Sequence, residues 1–362
     1  MKNFTIRTCG KKFIINVIKH WFNESLFLAI LAIVIIVMVP SNTAFAQLFD
    51  GFDYEDGVVI NPPLPITDSV VIDRFNNVWD PANDPSNRSH TSDTCSGFIL
   101  FFADVENEDS IGFDDRTIVG TKTLGEIRQE TACEVFNYLA GIIDIGGANP
   151  IIVFAISDTD GTGGLASASA LYDNTFSGPF DGGFLWKHIT TGLDPDTSVA
   201  DATIKIDFGD RVLNNITVTI NSDWTQSSGG QLDLFSIILH ESMHGLGFAS
   251  FIQSDGTSTR SNSICGPYSI YDQFLYNNPS IFNLNNKLVW SSGCFYSPLI
   301  PFLTTNDISF FNVNNSKVQP VYSPVSFKPG SSISHFDNLR SNFNFVMRPS
   351  TVGGDDRFLT MP

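Results

Sequence analysis

The sequence predicts an α+β fold in two lobes, with a twisted sheet and helices first and a loop-rich C-terminal lobe after them. Three observations predict it. Strand-like and helix-like apolar runs follow one another between residues 97 and 247. One helical run, 233–247, carries two histidines and a glutamate beside an apolar stripe. From 251 to 330 the chain is irregular, rich in Asn, Ser, Phe and Pro, and has no internal repeat.

In chain order, residues 97–103 (GFILFFA) read as a buried strand. In 124–141, Leu124, Ile127, Val135 and Leu139 fall at helical spacings, and Gly141 is the expected stop. Residues 150–156 form a second apolar strand. The run 157–164 (SDTDGTGG) offers acidic oxygens that could take Ca²⁺, but it lacks the spacing of an EF-hand, so a plain turn is favoured. Residues 202–208 and 215–220 alternate as half-buried strands do. A Ser-Gly break at 227–230 precedes the next helix, for which Asp233 is a suitable N-cap. Phe235, Leu239, Met243 and Leu246 form its core-facing stripe, and Gly247 can end it with a left-handed turn.

The first residues read as a secretory signal. Lys2, Arg7, Lys11, Lys12 and Lys19 precede an apolar run at 26–39. That run is shorter than the ~20 residues a membrane span needs. Ala44-Phe45-Ala46 then supplies a small-x-small cleavage site. The expected organisation is a signal peptide at 1–46, a loop-rich lead-in or short pro-segment at 47–96, an N-terminal catalytic lobe at 97–247 and a C-terminal lobe at 248–362. A secreted or cell-surface-associated protein, without stable membrane insertion after cleavage, is the consequence. The formal net charge of −18 argues against nucleic acid or an anionic membrane as partner.

Of five cysteines, Cys9 would leave with the signal. An even set of four in an exported chain suggests two disulfides. Cys95–Cys133 and Cys265–Cys294 are favoured because each closes a loop within one half of the chain. An inhibitory Cys95 thiolate on a metal is the alternative role.

The segment 239–248 reads LHESMHGLGF. On a helix, positions i and i+4 share a face about one turn apart. His240 and His244 can therefore present two imidazoles to one Zn²⁺, with Glu241 beside them to take a proton from a water on the metal. A catalytic zinc needs a third protein ligand. No Glu follows Glu241, and the compact spacing H-E-x-x-H-x-x-G-x-x-H would put Ser250, a poor ligand, in third place. The only later histidine is His335, in the run 330–337 (GSSISHFD), followed by Met347 in 345–349 (FVMRP). Asp272 is the alternative ligand. Asp337 is expected beside the site or in a turn, and His90 and His188 at the surface.

These segments, in this order, resemble the metzincin-type zinc metallopeptidases of the leishmanolysin-like kind. The resemblance rests on HESMHGLGF, SHFD and VMRP, spread over roughly residues 150–350. It implies a zincin-like fold, with zinc on His240, His244 and His335, Glu241 as general base, and Met347 in the methionine turn below the metal. The implied activity is secreted zinc endopeptidase, acting on protein or peptide substrates. Tyr268, Tyr271 and Tyr322 are candidates to assist the oxyanion. The other reading is a non-catalytic adhesion or binding module with a structural zinc.

Overall fold

The computed structural model describes residues 91–104, 111–143, 151–158, 165–173, 176, 178–196, 200–209, 211–213, 216–225, 231–277, 286–312, 317–337 and 347–349. The chain divides into Met1–Gln47 and Leu48–Pro362, and every described residue belongs to the second unit. The signal expected at 1–46, His90, and the acidic turn from 159 onward lie outside the described residues, as does the lead-in up to residue 90. Its last residues are not loop: Thr91–Cys95 (β1) pairs antiparallel with Phe98–Asp104 (β2), turning through Ser96 and Gly97, both at positive φ.

The apolar β2 run is buried on alternate residues, with Phe98, Leu100 and Phe102 each at most 1% exposed. A short hairpin, Ile118–Val119 (β3) with Lys122–Thr123 (β4), leads into the helix Leu124–Ile142 (α1). Thr123 and Glu126 cap α1 reciprocally, each side chain bonding the other's backbone N–H. Gly141 does not stop α1. The helix runs through Ile142, and Ile143 N–H still donates to Leu139 O, so the regular ladder outlasts the glycine.

Ile151–Asp158 (β5) lies parallel to β2, and Ala202–Asp207 (β8) parallel to β5. Ala166–Ala170 (β6), a run of Ala and Ser with no strand signal of its own, adds antiparallel to β8 and ends the sheet order β1-β2-β5-β8-β6. Between β6 and β8 come Phe180–Asp181 (β7) and the helix Gly183–Thr191 (α2). Arg211–Leu213 (β9) pairs with Ile216–Val218 (β10), and Ile220–Asn221 (β11) lies parallel to Leu232–Asp233 (β12). The single strand expected at 215–220 is therefore two, with different partners on either side of Thr219.

The helix Leu234–Gly245 (α3) begins where expected: the Asp233 carboxylate accepts from Ser236 N–H at 3.0 Å. α3 packs on α1 and across β6 and β8. Phe98 meets Phe136 of α1 with ring centroids 5.0 Å apart, in one core that also takes Val135, Leu139, Ile204, Ile237 and Leu239. The part beyond 251, read as irregular, is not wholly so. Tyr268–Ser269 (β13) lies parallel to β7, and Leu275–Asn277 (β14), Ile308–Asn312 (β15) and Lys317–Pro320 (β16) form a three-stranded antiparallel sheet. The fold is thus a mixture of helices and sheets, as α+β patterning requires. Cys95–Cys133 ties β1 to α1, and Cys265–Cys294 closes a loop around β13 and β14. Among the described residues no helix is long and apolar enough to cross a membrane.

Candidate metal centre

α3 is buried on both faces. Of the expected stripe, Phe235 and Leu239 are buried while Met243 and Leu246 are half-buried, and His240, Glu241 and His244 are at most 2% exposed. Gly247 closes the helix at φ +99°, with Gly247 N–H donating to His244 O and Phe248 N–H to Met243 O. This turn carries the next carbonyl back over the helix, and Phe248 O lies 2.6 Å from His244 Nδ1.

The third imidazole arrives from far along the chain. Segment 320–322 pairs with 333–337: Tyr322 N–H donates to His335 O, Ile333 N–H to Tyr322 O and Asp337 N–H to Pro320 O. Ile333 is forced to φ +70°, costly for a β-branched residue, inside this web. His335, 0% exposed, places Nδ1 2.8 Å from Ser331 O.

Nε2 of His335 sits 3.2 Å from Nε2 of His244 and 3.3 Å from that of His240, which is 3.1 Å from Nε2 of His244. A carbonyl oxygen only accepts, so Nδ1 of His244 and of His335 must each carry a proton. In neutral imidazoles with Nδ1 so protonated, the Nε2 lone pairs face one another, an arrangement a cation stabilises. Zinc at about 2.0–2.1 Å from tetrahedral nitrogens spaces them about 3.3–3.4 Å apart. The observed triangle fits that spacing, and two of the rings are already oriented from behind by backbone carbonyls.

The remaining expectations divide. Met347 is buried, and its carbonyl accepts from Phe336 N–H, next to His335. Asp337 is buried beside it. Asp272 does not join the histidines. Its fully buried carboxylate accepts from Ser250 Oγ (2.6 Å) and from the N–H groups of Phe251 and Ser269 (3.0 Å each). Cys95 is disulfide-bonded, so it has no thiolate to offer a metal. Tyr268 is committed elsewhere, its hydroxyl donating to Gly256 O at 2.7 Å. Tyr271 is buried against Phe248 with its pKa well above 10 through desolvation, and its hydroxyl makes no hydrogen bond among the described residues. Tyr322 contributes the backbone N–H that holds the His335 carbonyl.

His188 is not at the surface. It is 1% exposed, at the end of α2, with Nδ1 3.0 Å from an oxygen of Asp201, itself 2% exposed. Asp194 completes a group of three whose ligand atoms lie within 4.8 Å of one another. A His in an amphipathic run gave no sign of burial, because its partner lies across a turn. Sequence reasoning also missed the carbonyls of Phe248 and Ser331 and the Ser334 hydroxyl, which accepts from Ser250 N–H at 3.1 Å. Backbone groups carry no residue signature, and Ser334 sits in a Ser-rich run.

Compared with known proteins, the chain matches no family model, no curated protein and no solved structure.

Proposed function

We propose that the chain is an exported zinc-dependent endopeptidase of the metzincin type, resembling leishmanolysin-like enzymes, with a zincin-like fold. The observation that carries the reading is the convergence of three imidazole Nε2 atoms, from α3 and from a loop 91 residues beyond His244, within 3.1–3.3 Å of one another. Glu241 adjoins the first of these ligands and is 0% exposed. When bound, zinc supplies a Lewis acid that brings the pKa of water down to about 7 and polarises a peptide carbonyl.

The chain's own residues do the rest. His240, His244 and His335 would hold the ion through their Nε2 atoms. Glu241, one position along α3 from His240, accepts the proton of the attacking water and delivers it to the departing amine. Burial excludes bulk water from that carboxylate and strengthens its effect on the reacting groups. An extended substrate pairs with β6, which ends the sheet order among the described residues and packs on α3. Secretion fits the two disulfides.

A structural zinc in a binding module needs four protein ligands. The group around the ion site has three among the described residues, and Asp272 is engaged elsewhere. The test is cleavage of an unfolded protein by the purified chain, with and without a zinc chelator, beside Glu241→Ala. Chelator-sensitive cleavage that Glu241→Ala lacks while keeping one zinc per chain is expected. Cleavage that survives chelation, or zinc bound at one per chain with no cleavage, overturns the enzymatic reading.

A further inference from the structure

The segment that follows α3 touches two of the three candidate ligands. At one end, Phe248 O accepts from His244 Nδ1 at 2.6 Å. Two residues on, Ser250 N–H donates to Ser334 Oγ at 3.1 Å, and Ser334 is the residue before His335. Whatever fixes residues 248–251 therefore sets the distance between His244 and His335.

Asp272 does that fixing. Its Oδ1 accepts from Ser250 Oγ and its Oδ2 from Phe251 N–H, so one carboxylate holds two consecutive residues of the segment. Oδ2 also accepts from Ser269 N–H, and Asp272 N–H donates to Ser269 Oγ, which locks the carboxylate to β13. Ser250 Oγ in turn accepts from Ile252 N–H at 3.1 Å. The carboxylate is 0% exposed, and among the described residues its hydrogen-bond donors are one hydroxyl and two backbone amides. Burying a carboxylate on neutral donors is costly and is a large outlay for a loop contact alone. The Ser250 position has one further meaning. In the compact zinc motif it would be a ligand; here its hydroxyl is instead the hinge through which Asp272 braces the distant ligand.

We infer that Asp272 is the positioning residue of the metal centre, holding segment 248–251 so that His244 and His335 keep the separation a zinc ion requires. This rests on the reading of His240, His244 and His335 as a zinc site. Partners that orient metal ligands typically change metal affinity by 10–100-fold when removed. Asp272 acts one bond further out, through Phe248 O and Ser334, so the low end of that range applies.

The experiment uses the full chain and three variants: Asp272→Asn, Ser334→Ala and, as a control for buried polar damage elsewhere, Thr131→Val, which removes the buried hydroxyl that donates to Ser222 O. Zinc affinity is read by competition with a chromophoric chelator, and ligand geometry by the visible spectrum of the cobalt(II) form. Thermal unfolding of the zinc-free protein reports folding. Asp272→Asn puts an NH2 group in place of one acceptor oxygen, which removes either the bond from Ser250 Oγ or those from the Phe251 and Ser269 N–H groups, so affinity is expected to fall about 10-fold with a shifted cobalt spectrum. Ser334→Ala breaks only the link to the His335 loop and is expected to shift affinity in the same direction by a smaller factor. Thr131→Val is expected to lower the unfolding temperature while leaving affinity and spectrum unchanged. An Asp272→Asn protein that loses thermal stability but keeps its affinity and spectrum overturns the inference, because the role is then structural only. If Asp272→Asn does not fold, Ser334→Ala decides, and an unchanged affinity there overturns it. Failure of the zinc reading looks different: the unmodified chain would bind no zinc, or His335→Ala would bind it as tightly as the unmodified chain.

Discussion

The two disulfides close loops of similar size, 38 and 29 residues, yet they brace different parts of the molecule. Chain-entropy arguments give about 3.9 kcal/mol for a 38-residue loop and about 3.6 kcal/mol for one of 29. Removing either bridge by a paired Cys→Ala change is therefore expected to cost nearly the same stability. At roughly 2–4 °C per kcal/mol, each variant should melt about 8–15 °C lower. Function should separate them. Cys95–Cys133 joins β1 to α1, and the loop it closes contains none of the three histidines and no part of segment 248–251, so zinc affinity and cleavage below the transition should be unchanged. Cys265–Cys294 encloses β13 and Asp272, which hold segment 248–251, so its loss should also weaken zinc binding. The assay is calorimetry of both variants with zinc titrations at 25 °C. Equal weakening of zinc binding in both variants, or in neither, would refute the assignment of the second loop to the metal centre. A melting temperature unchanged in either variant would refute the entropic account.

Other outcomes follow from the same geometry. His188 and Asp201 are a buried pair, so His188→Leu or Asp201→Leu alone should cost about 3–5 kcal/mol by denaturant unfolding, while the double change should cost less than the sum. Burial raises the Asp272 pKa from 3.8 to about 6, against the hydrogen bonds from Ser250, Phe251 and Ser269 that oppose the rise. The folded state then binds more protons than the unfolded state between about pH 4 and 6, so this group's contribution to stability falls, by about 3 kcal/mol, as pH rises through that window. Urea unfolding across the window should show that loss in the unmodified chain and not in Asp272→Asn; equal slopes would refute it. Gly183 sits at φ +74°, and an added Cβ would lie 2.9 Å from Ala170 Cβ. Gly183→Ala should therefore cost at least about 1 kcal/mol and displace the end of β6, lowering kcat/KM for peptide cleavage. Wild-type stability and activity in this variant would show that β6 is not where substrate pairs.

The sequence by itself determined α3 and the side chains it carries. Asp233 at the cap, the apolar stripe, His240, Glu241 and His244, and the turn at Gly247 are all local, because a helix converts spacing directly into a shared face. The apolar strands at β2 and β5 and both cysteine pairings were legible for similar reasons: hydrophobic runs and short loops leave marks along the chain. Counting residue types narrowed the third ligand to His335 or Asp272, but counting gives no distance. The tertiary structure placed the two differently: pairing 320–322 with 333–337 brings His335 to within 3.2 Å of His244, whereas Asp272 is enclosed among Ser250, Phe251 and Ser269. It also set the edge strand β6, whose Ala and Ser residues have no strand preference until β8 supplies the hydrogen bonds. His188 was misplaced for the same reason. Whether an imidazole is solvated or buried depends on a partner, and Asp201 reaches it only once the chain has turned from α2 into β8. Contacts of this kind come from chain segments meeting in space, and no period in the sequence encodes them.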